Sequence, residues 1–373
     1  MDHSFNKKNI ITFDPTPRKS GGGSEKSLLE TLKGLKNLGN EIQIGIINPK
    51  DYEILDIYKQ NGFKIKNIFA VYLKNKSNPF DYIKLYRSQK KFDLKGNDII
   101  YVNGYYDLPL AVILKLINKI PIVCHLRIPP NLSKQYLYSL KFVDKFVAAT
   151  PKLRDLYIKH ASIPNEKFVI IPNGFNFPEK WQPKKHHKIG EQFRIIYIGR
   201  ISIEKGIMEL YEVFKEIIKT IPNSTLTITG PTINKIDEVF KEKLLENIRN
   251  ENLQDIVSIN TPVSDPIKYL SNFDLCIFPS LLEEAFGRIL CESIIAGIPI
   301  ISNNIGSADF ILNDYNHIWI YKNKEELYQK ILKYYYYPYS YPINEIFDYM
   351  KKNFSFEKYL NYLNRLLNEQ LGH

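Results

Sequence analysis

The residue types best suited to chemistry concentrate in two segments. The first runs Pro279-Ser280-Leu281-Leu282-Glu283-Glu284-Ala285-Phe286-Gly287-Arg288-Ile289-Leu290-Cys291-Glu292. A short apolar strand precedes it at Leu275–Phe278, and a helix is predicted from about Gly287 to Ala296. A glycine at the head of a helix that follows a parallel strand lets a phosphate approach backbone N–H groups and the positive end of the helix dipole. An anion site is expected there. Glu284 and Glu292 flank it, and eight residues of helix between them rise about 12 Å. That exceeds the roughly 5 to 9.5 Å between the carboxylates of a glycosidase acid/base pair, so the two are expected to grip opposite ends of one ligand. Carboxylates accept hydrogen bonds from vicinal hydroxyls. The competing reading is that both glutamates only cap or solvate the helix.

The second segment, Ile195-Ile196-Tyr197-Ile198-Gly199-Arg200-Ile201-Ser202-Ile203-Glu204-Lys205-Gly206, is again a strand ending at glycine, with two cations close behind. Arg200 offers a planar fork and Lys205 a mobile point charge, a combination suited to a diphosphate leaving group. Hydroxyls at both ends and a diphosphate between them describe a nucleotide-sugar. The alternative is a pair of surface cations in a loop.

Positioning these segments requires α/β architecture. Strands are predicted at Asn9–Phe13, Glu41–Ile47, Asp98–Val102, Ile120–His125, Lys145–Ala149 and Phe168–Ile171, with a helix at Glu25–Leu38. The first of these make a βαβ unit. Pro178–Glu191 brings Pro, Trp, Lys and His together without periodicity, and reads as a linker. Beyond it the alternation resumes: strands at Arg194–Ile198, Thr225–Thr229, Val257–Ile259, Leu275–Phe278 and Pro299–Ser302, helices at Met208–Thr220, Lys235–Asn250 and near Pro266–Ser271. The amphipathic spacing of Leu360, Leu363, Leu366 and Leu367 predicts a last helix over Phe356–Gln370. The tyrosines of Tyr334–Tyr341 are assigned to packing.

At 373 residues the chain suits two domains. The expected division is 1–185 and 186–353, with the helix of about 354–373 packing back on the first. No signal-peptide pattern opens the sequence, no apolar run reaches the roughly 20 residues of a membrane span, and Cys124, Cys276 and Cys291 lack metal-ligand spacing. A cytoplasmic protein with reduced thiols is expected. The net charge of +11 divides into +16 over residues 1–190 and −5 over 191–373. The basic first half suits an anionic membrane surface, a phosphate-bearing acceptor or nucleic acid, or is only a solvated face.

The two segments, followed by Ala296-Gly297-Ile298-Pro299, resemble the retaining glycosyltransferases of family 4 over residues 191–311. Gly21-Gly22-Gly23 with Glu25, Gly39 before its strand, and Ile171-Pro172-Asn173-Gly174 extend the resemblance into the first half. It implies a GT-B fold, two doubly wound Rossmann-like domains facing across a cleft. It also implies that Arg200 and Lys205 hold the donor diphosphate, Glu292 the ribose and Glu284 the transferred sugar. Gly22 and Gly23 would close over the phosphates, while Gly199, Phe286, Gly287 and Arg288 complete the donor site. His125, at a strand end in Val123-Cys124-His125-Leu126-Arg127, would face the reacting carbon, with Arg127 as a nearby cation. Asn176 and Gly306-Ser307-Ala308-Asp309 depart from the family pattern of Asp and Gly-Gly…Glu.

The implied activity is retaining transfer, by front-face attack, from a UDP- or GDP-sugar to a saccharide or lipid-linked acceptor in bacterial surface polysaccharide or glycoconjugate synthesis. No Asp-x-Asp motif occurs, so neither a metal nor a cofactor is expected. A GT-B nucleotide-sugar epimerase would share the donor site but needs acid/base carboxylates in the first domain, for which no motif is visible. A dehydrogenase is disfavoured because Gly-x-Gly-x-x-Gly is not formed at Ser20–Gly23. A nucleic-acid-binding protein has only the basic half in its favour, and no nucleic acid is expected as partner.

Overall fold

The computed structural model describes residues 7–15, 23–47, 52–71, 79–312 and 319–372. The chain forms two compact units, one of Met1–Gly174 with Phe356–His373 and one of Phe175–Ser355.

The first unit contains β1 (Asn9–Phe13), α1 (Gly23–Asn37), β2 (Glu41–Ile46), α2 (Tyr52–Gln60), β3 (Lys64–Asn67), α3 (Pro79–Gln89), β4 (Asp98–Val102), α4 (Leu108–Asn118), β5 (Ile122–Leu126), α5 (Lys134–Leu140), β6 (Lys145–Ala148), α6 (Pro151–Ala161) and β7 (Phe168–Ile170). Its seven strands are parallel in the order β3-β2-β1-β4-β5-β6-β7, so the winding reverses between β1 and β4. β1, β4 and β5 are buried along their whole length, which is why they read as continuous apolar runs. β3 is an edge strand that alternates lysines, Lys64 exposed and Lys66 paired with Asp93, a composition that blunts edge pairing and hides the strand from pattern reading.

The second unit contains β8 (Phe193–Ile198), α7 (Ile207–Thr220), β9 (Ser224–Thr229), α8 (Lys235–Asn250), β10 (Val257–Asn260), α9 (Pro266–Leu270), β11 (Leu275–Phe278), α10 (Ile289–Ile295), β12 (Ile300–Asn303), α11 (Ala308–Leu312), β13 (Ile320–Tyr321), α12 (Lys324–Tyr336) and α13 (Ile343–Phe354). Its parallel order is β10-β9-β8-β11-β12-β13, reversing between β8 and β11. The last helix, α14 (Phe356–Glu369), returns to the first unit, where Tyr359, Leu363, Leu366 and Leu367 join the core built on β1, β2 and α1.

The segment read as a linker is instead strapped to the second unit. The Trp181 indole donates to the Ile295 carbonyl at 3.0 Å and stacks on Phe347 at 3.9 Å between ring centres. Lys184 reaches the buried Asp274 carboxylate at 2.8 Å, and Arg194 grips the same carboxylate with Nε and a terminal nitrogen, both at 3.1 Å. Irregular backbone held by side-chain anchors carries no periodicity, so it resembles a linker in sequence. Of the tyrosine-rich run, Tyr334, Tyr335 and Tyr341 are buried and Tyr336, Tyr337 and Tyr339 are exposed.

Candidate active site

In an open parallel sheet, ligands bind beyond the carboxyl ends of the strands where the winding reverses. In the second unit that place is the pair of loops after β8 and β11, and both chemistry-bearing segments lie there. The loops are joined: the Leu281 N–H donates to the Glu204 carbonyl at 2.9 Å. Gly206, with φ of 67°, begins α7, and a Cβ there would sit 2.0 Å from the Pro279 carbonyl oxygen. Gly206→Ala therefore forces the loops apart. We expect it to cost at least about 2 kcal/mol and to lower the melting temperature of this unit by about 4 to 8 °C, measured by calorimetry.

Each cation of the site meets a carboxylate. Lys205 forms an ion pair with Glu284, and both side chains are largely buried. The Ser280 hydroxyl also donates to Glu284 Oε1, at 3.3 Å. Arg200 pairs with Glu204 at 2.6 Å, and its backbone carbonyl is fixed by the buried Tyr197 hydroxyl at 2.7 Å. Arg288 Nε lies 3.1 Å from Glu292 Oε1, and its guanidinium rests 4.6 Å from the centre of the Phe175 ring. Glu284 is thus held by three loops: Lys205 from the β8 loop, Ser280 from its own, and Gly306, which lies against the Glu284 backbone, from the β12 loop.

The structure corrects the sequence expectation at several points. The helix does not span the interval from Glu284 to Glu292: Gly287 takes φ of 69°, outside the helical region, and α10 begins only at Ile289. Glu292 is in its first turn, so the 12 Å rise does not separate the carboxylates. A seven-residue helix has little macrodipole, and the positive charge of this edge comes mainly from side chains. Phe286, expected in the donor site, is 2% exposed and packs on Phe175 and Phe354, while its carbonyl accepts from the Ser307 hydroxyl. Asp309 is exposed and, with the Asn304 amide oriented to donate, is hydrogen-bonded to it at 2.9 Å. Gly199 ends β8 directly over the Tyr197 hydroxyl. Gly23 is the first residue of α1 and is exposed; Gly22 lies outside the described residues.

In the first unit, His125 is on β5 and fully buried. Its Nδ1 lies 2.8 Å from the Tyr101 hydroxyl, and Nε2 has no hydrogen-bond partner among the described residues. Burial, then the charge of Arg127, pushes the imidazole well below its ordinary pKa, so the ring is neutral. The expectation that it faces a reacting carbon does not fit this enclosed position. Arg127 stands at the strand end instead. It donates to Asn103 at 2.9 Å, to Asn173 at 2.5 Å and to the Tyr359 hydroxyl at 3.5 Å; that hydroxyl lies 2.7 Å from Thr31.

Two carboxyls missed by motif reading lie past the ends of β1 and β4. Asp14 accepts a hydrogen bond from the Tyr58 hydroxyl, and burial raises its pKa to about 6. Burial, with the charge of Asp14, raises Asp107 to about 8. Beside Asp107 the Tyr105 and Tyr106 rings lie 4.4 Å apart, with Tyr136 5.4 Å from Tyr106. A folded-state pKa above the ordinary 3.8 means that the folded chain holds protons the unfolded chain has released. Stability therefore falls as pH rises from about 4 to 8, and Asp107→Asn should flatten that fall in melts across pH; an unchanged slope would contradict the assignment.

Among the described residues no cluster of His, Cys, Asp and Glu is arranged to hold a metal ion, and no helix is long and apolar enough to cross a membrane. All three cysteines are buried and free.

Comparison with known proteins follows this division. Residues 179–338 match the family described as "Glycosyl transferases group 1", and residues 21–177 match "Glycosyltransferase Family 4". The capsular polysaccharide biosynthesis glycosyltransferase CapM of Staphylococcus aureus is 35% identical over 151 residues, 40% of this chain and 36% of CapM. The chain thus spans well under half the length of that relative. The capsular polysaccharide biosynthesis glycosyltransferase CapH of the same organism is 26% identical over 303 residues, covering 77% of this chain and 79% of CapH. The structure of Anabaena HepE in complex with UDP and glucose superposes with a TM-score of 0.75 at 17% identity, covering 97% of this chain and 99% of HepE, a likeness of fold.

Proposed function

The chain belongs to the family 4 glycosyltransferases and has their GT-B fold, and from that premise we propose that it transfers a sugar from a nucleotide-sugar to a saccharide acceptor with retention and without a metal. The observation that carries this reading is the Lys205–Glu284 pair held at the winding reversal of the second unit. When a donor arrives, its diphosphate takes Lys205 from Glu284, with Arg200 as second cation, and the released Glu284 accepts hydroxyls of the transferred sugar. Glu292, oriented by Arg288, takes the ribose hydroxyls. Partner exchange of this kind keeps charges compensated before and after binding, which limits the desolvation cost.

In the transfer step, the bond from the anomeric carbon to the diphosphate oxygen breaks while the acceptor oxygen bonds to the same carbon from the same face. The acceptor proton passes to the departing oxygen, and Lys205 and Arg200 stabilise the charge that develops there. These side-chain cations supply the charge that a divalent metal supplies elsewhere. On the first unit, the edge carrying Arg127, Asp14, Asp107 and Tyr106 offers an aromatic face and hydrogen-bonding carboxyls, chemistry suited to a saccharide. CapM and CapH act in capsular polysaccharide biosynthesis, which supports an acceptor of the surface-polysaccharide class, soluble or lipid-linked.

Asp14 and Asp107 also favour a second reading, a nucleotide-sugar epimerase, since they are first-unit carboxyls with raised pKa values. One experiment separates the two. UDP- and GDP-sugars are incubated with EDTA, with and without saccharide acceptors, and products are resolved by NMR. Acceptor-dependent product with the donor's anomeric configuration is expected. Isomerised donor without acceptor would support the epimerase, and activity restored only by Mn²⁺ would overturn the metal-free mechanism.

A further inference from the structure

We propose that α3 of the first unit docks on an anionic lipid surface. Its outward face carries Phe80, Tyr82, Ile83 and Tyr86 with exposures of 71, 55, 50 and 47%. Large apolar side chains exposed singly need no explanation, but four within seven residues of one helix do. Cations interleave them. Lys84 and Arg87 lie on the same outward face, Lys90 and Lys91 follow the helix, and all four are exposed. Lys90 Nζ rests 4.9 Å from the centre of the Tyr86 ring and Lys91 Nζ 5.3 Å from that of Phe69, itself 49% exposed. The only acid of this helix, Asp81, faces Lys84 at 3.6 Å. The buried side, Leu85, Ser88 and Gln89, holds the helix on the unit, with Ser88 accepting from the N–H groups of Phe69 and Ala70. The Asn118 amide joins α4 to Gln89 at 3.4 Å, and α4 adds Leu116 and Ile117, 61 and 48% exposed.

Aromatic and aliphatic groups interleaved with Lys and Arg suit the boundary between headgroups and acyl chains: the rings enter it while the cations meet lipid phosphates. Charge decides the occupant. The half of the chain that carries α3 has a net charge of +16. By contrast α8, which exposes Ile236 at 70% and Val239 at 62%, balances Lys235, Lys241, Lys243 and Arg249 against Asp237, Glu238, Glu242 and Glu246. α3, with Lys90 and Lys91 behind it, instead joins several exposed rings to cations that outnumber its one acid. α3 packs beside α4 with the two last residues, Gln89 and Asn118, in contact, so both helices start from the same end of the unit, where Asp107 precedes α4, and a docked α3 brings that end toward lipid. This consequence rests on the transferase reading, with a lipid-linked acceptor; the docking itself does not.

The test is flotation of the full chain with vesicles of phosphatidylcholine, alone or with 30 mol% (~) phosphatidylglycerol, at about 0.1 and 0.5 M NaCl. Binding to the anionic vesicles at low salt, weakened at high salt, is expected. Phe80→Ser/Ile83→Ser and Lys84→Glu/Arg87→Glu/Lys90→Glu should each lower the partition coefficient at least about tenfold. Ile236→Ser should leave it unchanged. Transfer to a water-soluble acceptor should survive both α3 variants, so a failed transferase assay and a failed docking assay are separate results. Equal partition of wild type and both variants, no binding to anionic vesicles, or binding of duplex nucleic acid in place of vesicles would overturn the proposal.

Discussion

Lys205→Met is expected to lower turnover by about 10² to 10³-fold while leaving the second unit folded, and Glu284→Gln to lower it by about 10²-fold. Lys205 is the cation nearest Glu284, and the two lie on loops after adjacent strands, at the reversal between β8 and β11. A cation fixed beside a departing diphosphate interacts more strongly with the transition state than with the ground state, so its loss falls on turnover. Both side chains are mostly shielded from water, which keeps their interaction from being screened. Because each residue orients the other, the double variant should lose little more than the worse single variant. Steady-state kinetics checks this; additive losses would mean that the two act independently.

On the proposed reading, Glu292→Ala is expected to act on binding and not on the chemical step. Glu292 is 7% exposed and its carboxylate is fixed by Arg288, itself resting on Phe175, an arrangement that suits the proposed contact with ribose hydroxyls. Hydrogen bonds to a buried carboxylate contribute about 1.5 to 3 kcal/mol, so nucleotide affinity should fall about 10 to 100-fold with a smaller change in turnover. Titration calorimetry with a nucleoside diphosphate measures the first and saturating kinetics the second. A fall in turnover alone would move Glu292 from binding to chemistry.

The sequence exposes the parts of this protein governed by local periodicity. β1, β4, α8 and β11 fall where their patterns place them, because continuous apolar strands and a 3.6-residue period report burial directly. β3 is hidden by its lysines, and the anchors Trp181 and Lys184 are hidden because their partners, Ile295 and Asp274, are far along the chain. The site is legible as residue types at strand ends. Its pairing is not: Lys205 meets Glu284, 79 positions away, only after two strands become neighbours. Phe286 and His125 look functional from their place beside motif residues, yet neighbouring aromatic rings enclose both. Asp14 and Asp107 show the reverse, since single aspartates after strands carry no motif and are brought near each other only by the β1–β4 pairing.

The central claim is that the β8–β11 edge binds the diphosphate of a nucleotide-sugar. Thermal melting with UDP, GDP and their sugars, at concentrations about 100 times the dissociation constant, tests it most directly. A bound ligand then stabilises the folded state by about 2.7 kcal/mol. The account predicts a rise in melting temperature with at least one nucleotide, retained in EDTA and reduced in both Lys205→Met and Glu292→Ala. No shift with any nucleotide, or an equal shift in wild type and both variants, would contradict it.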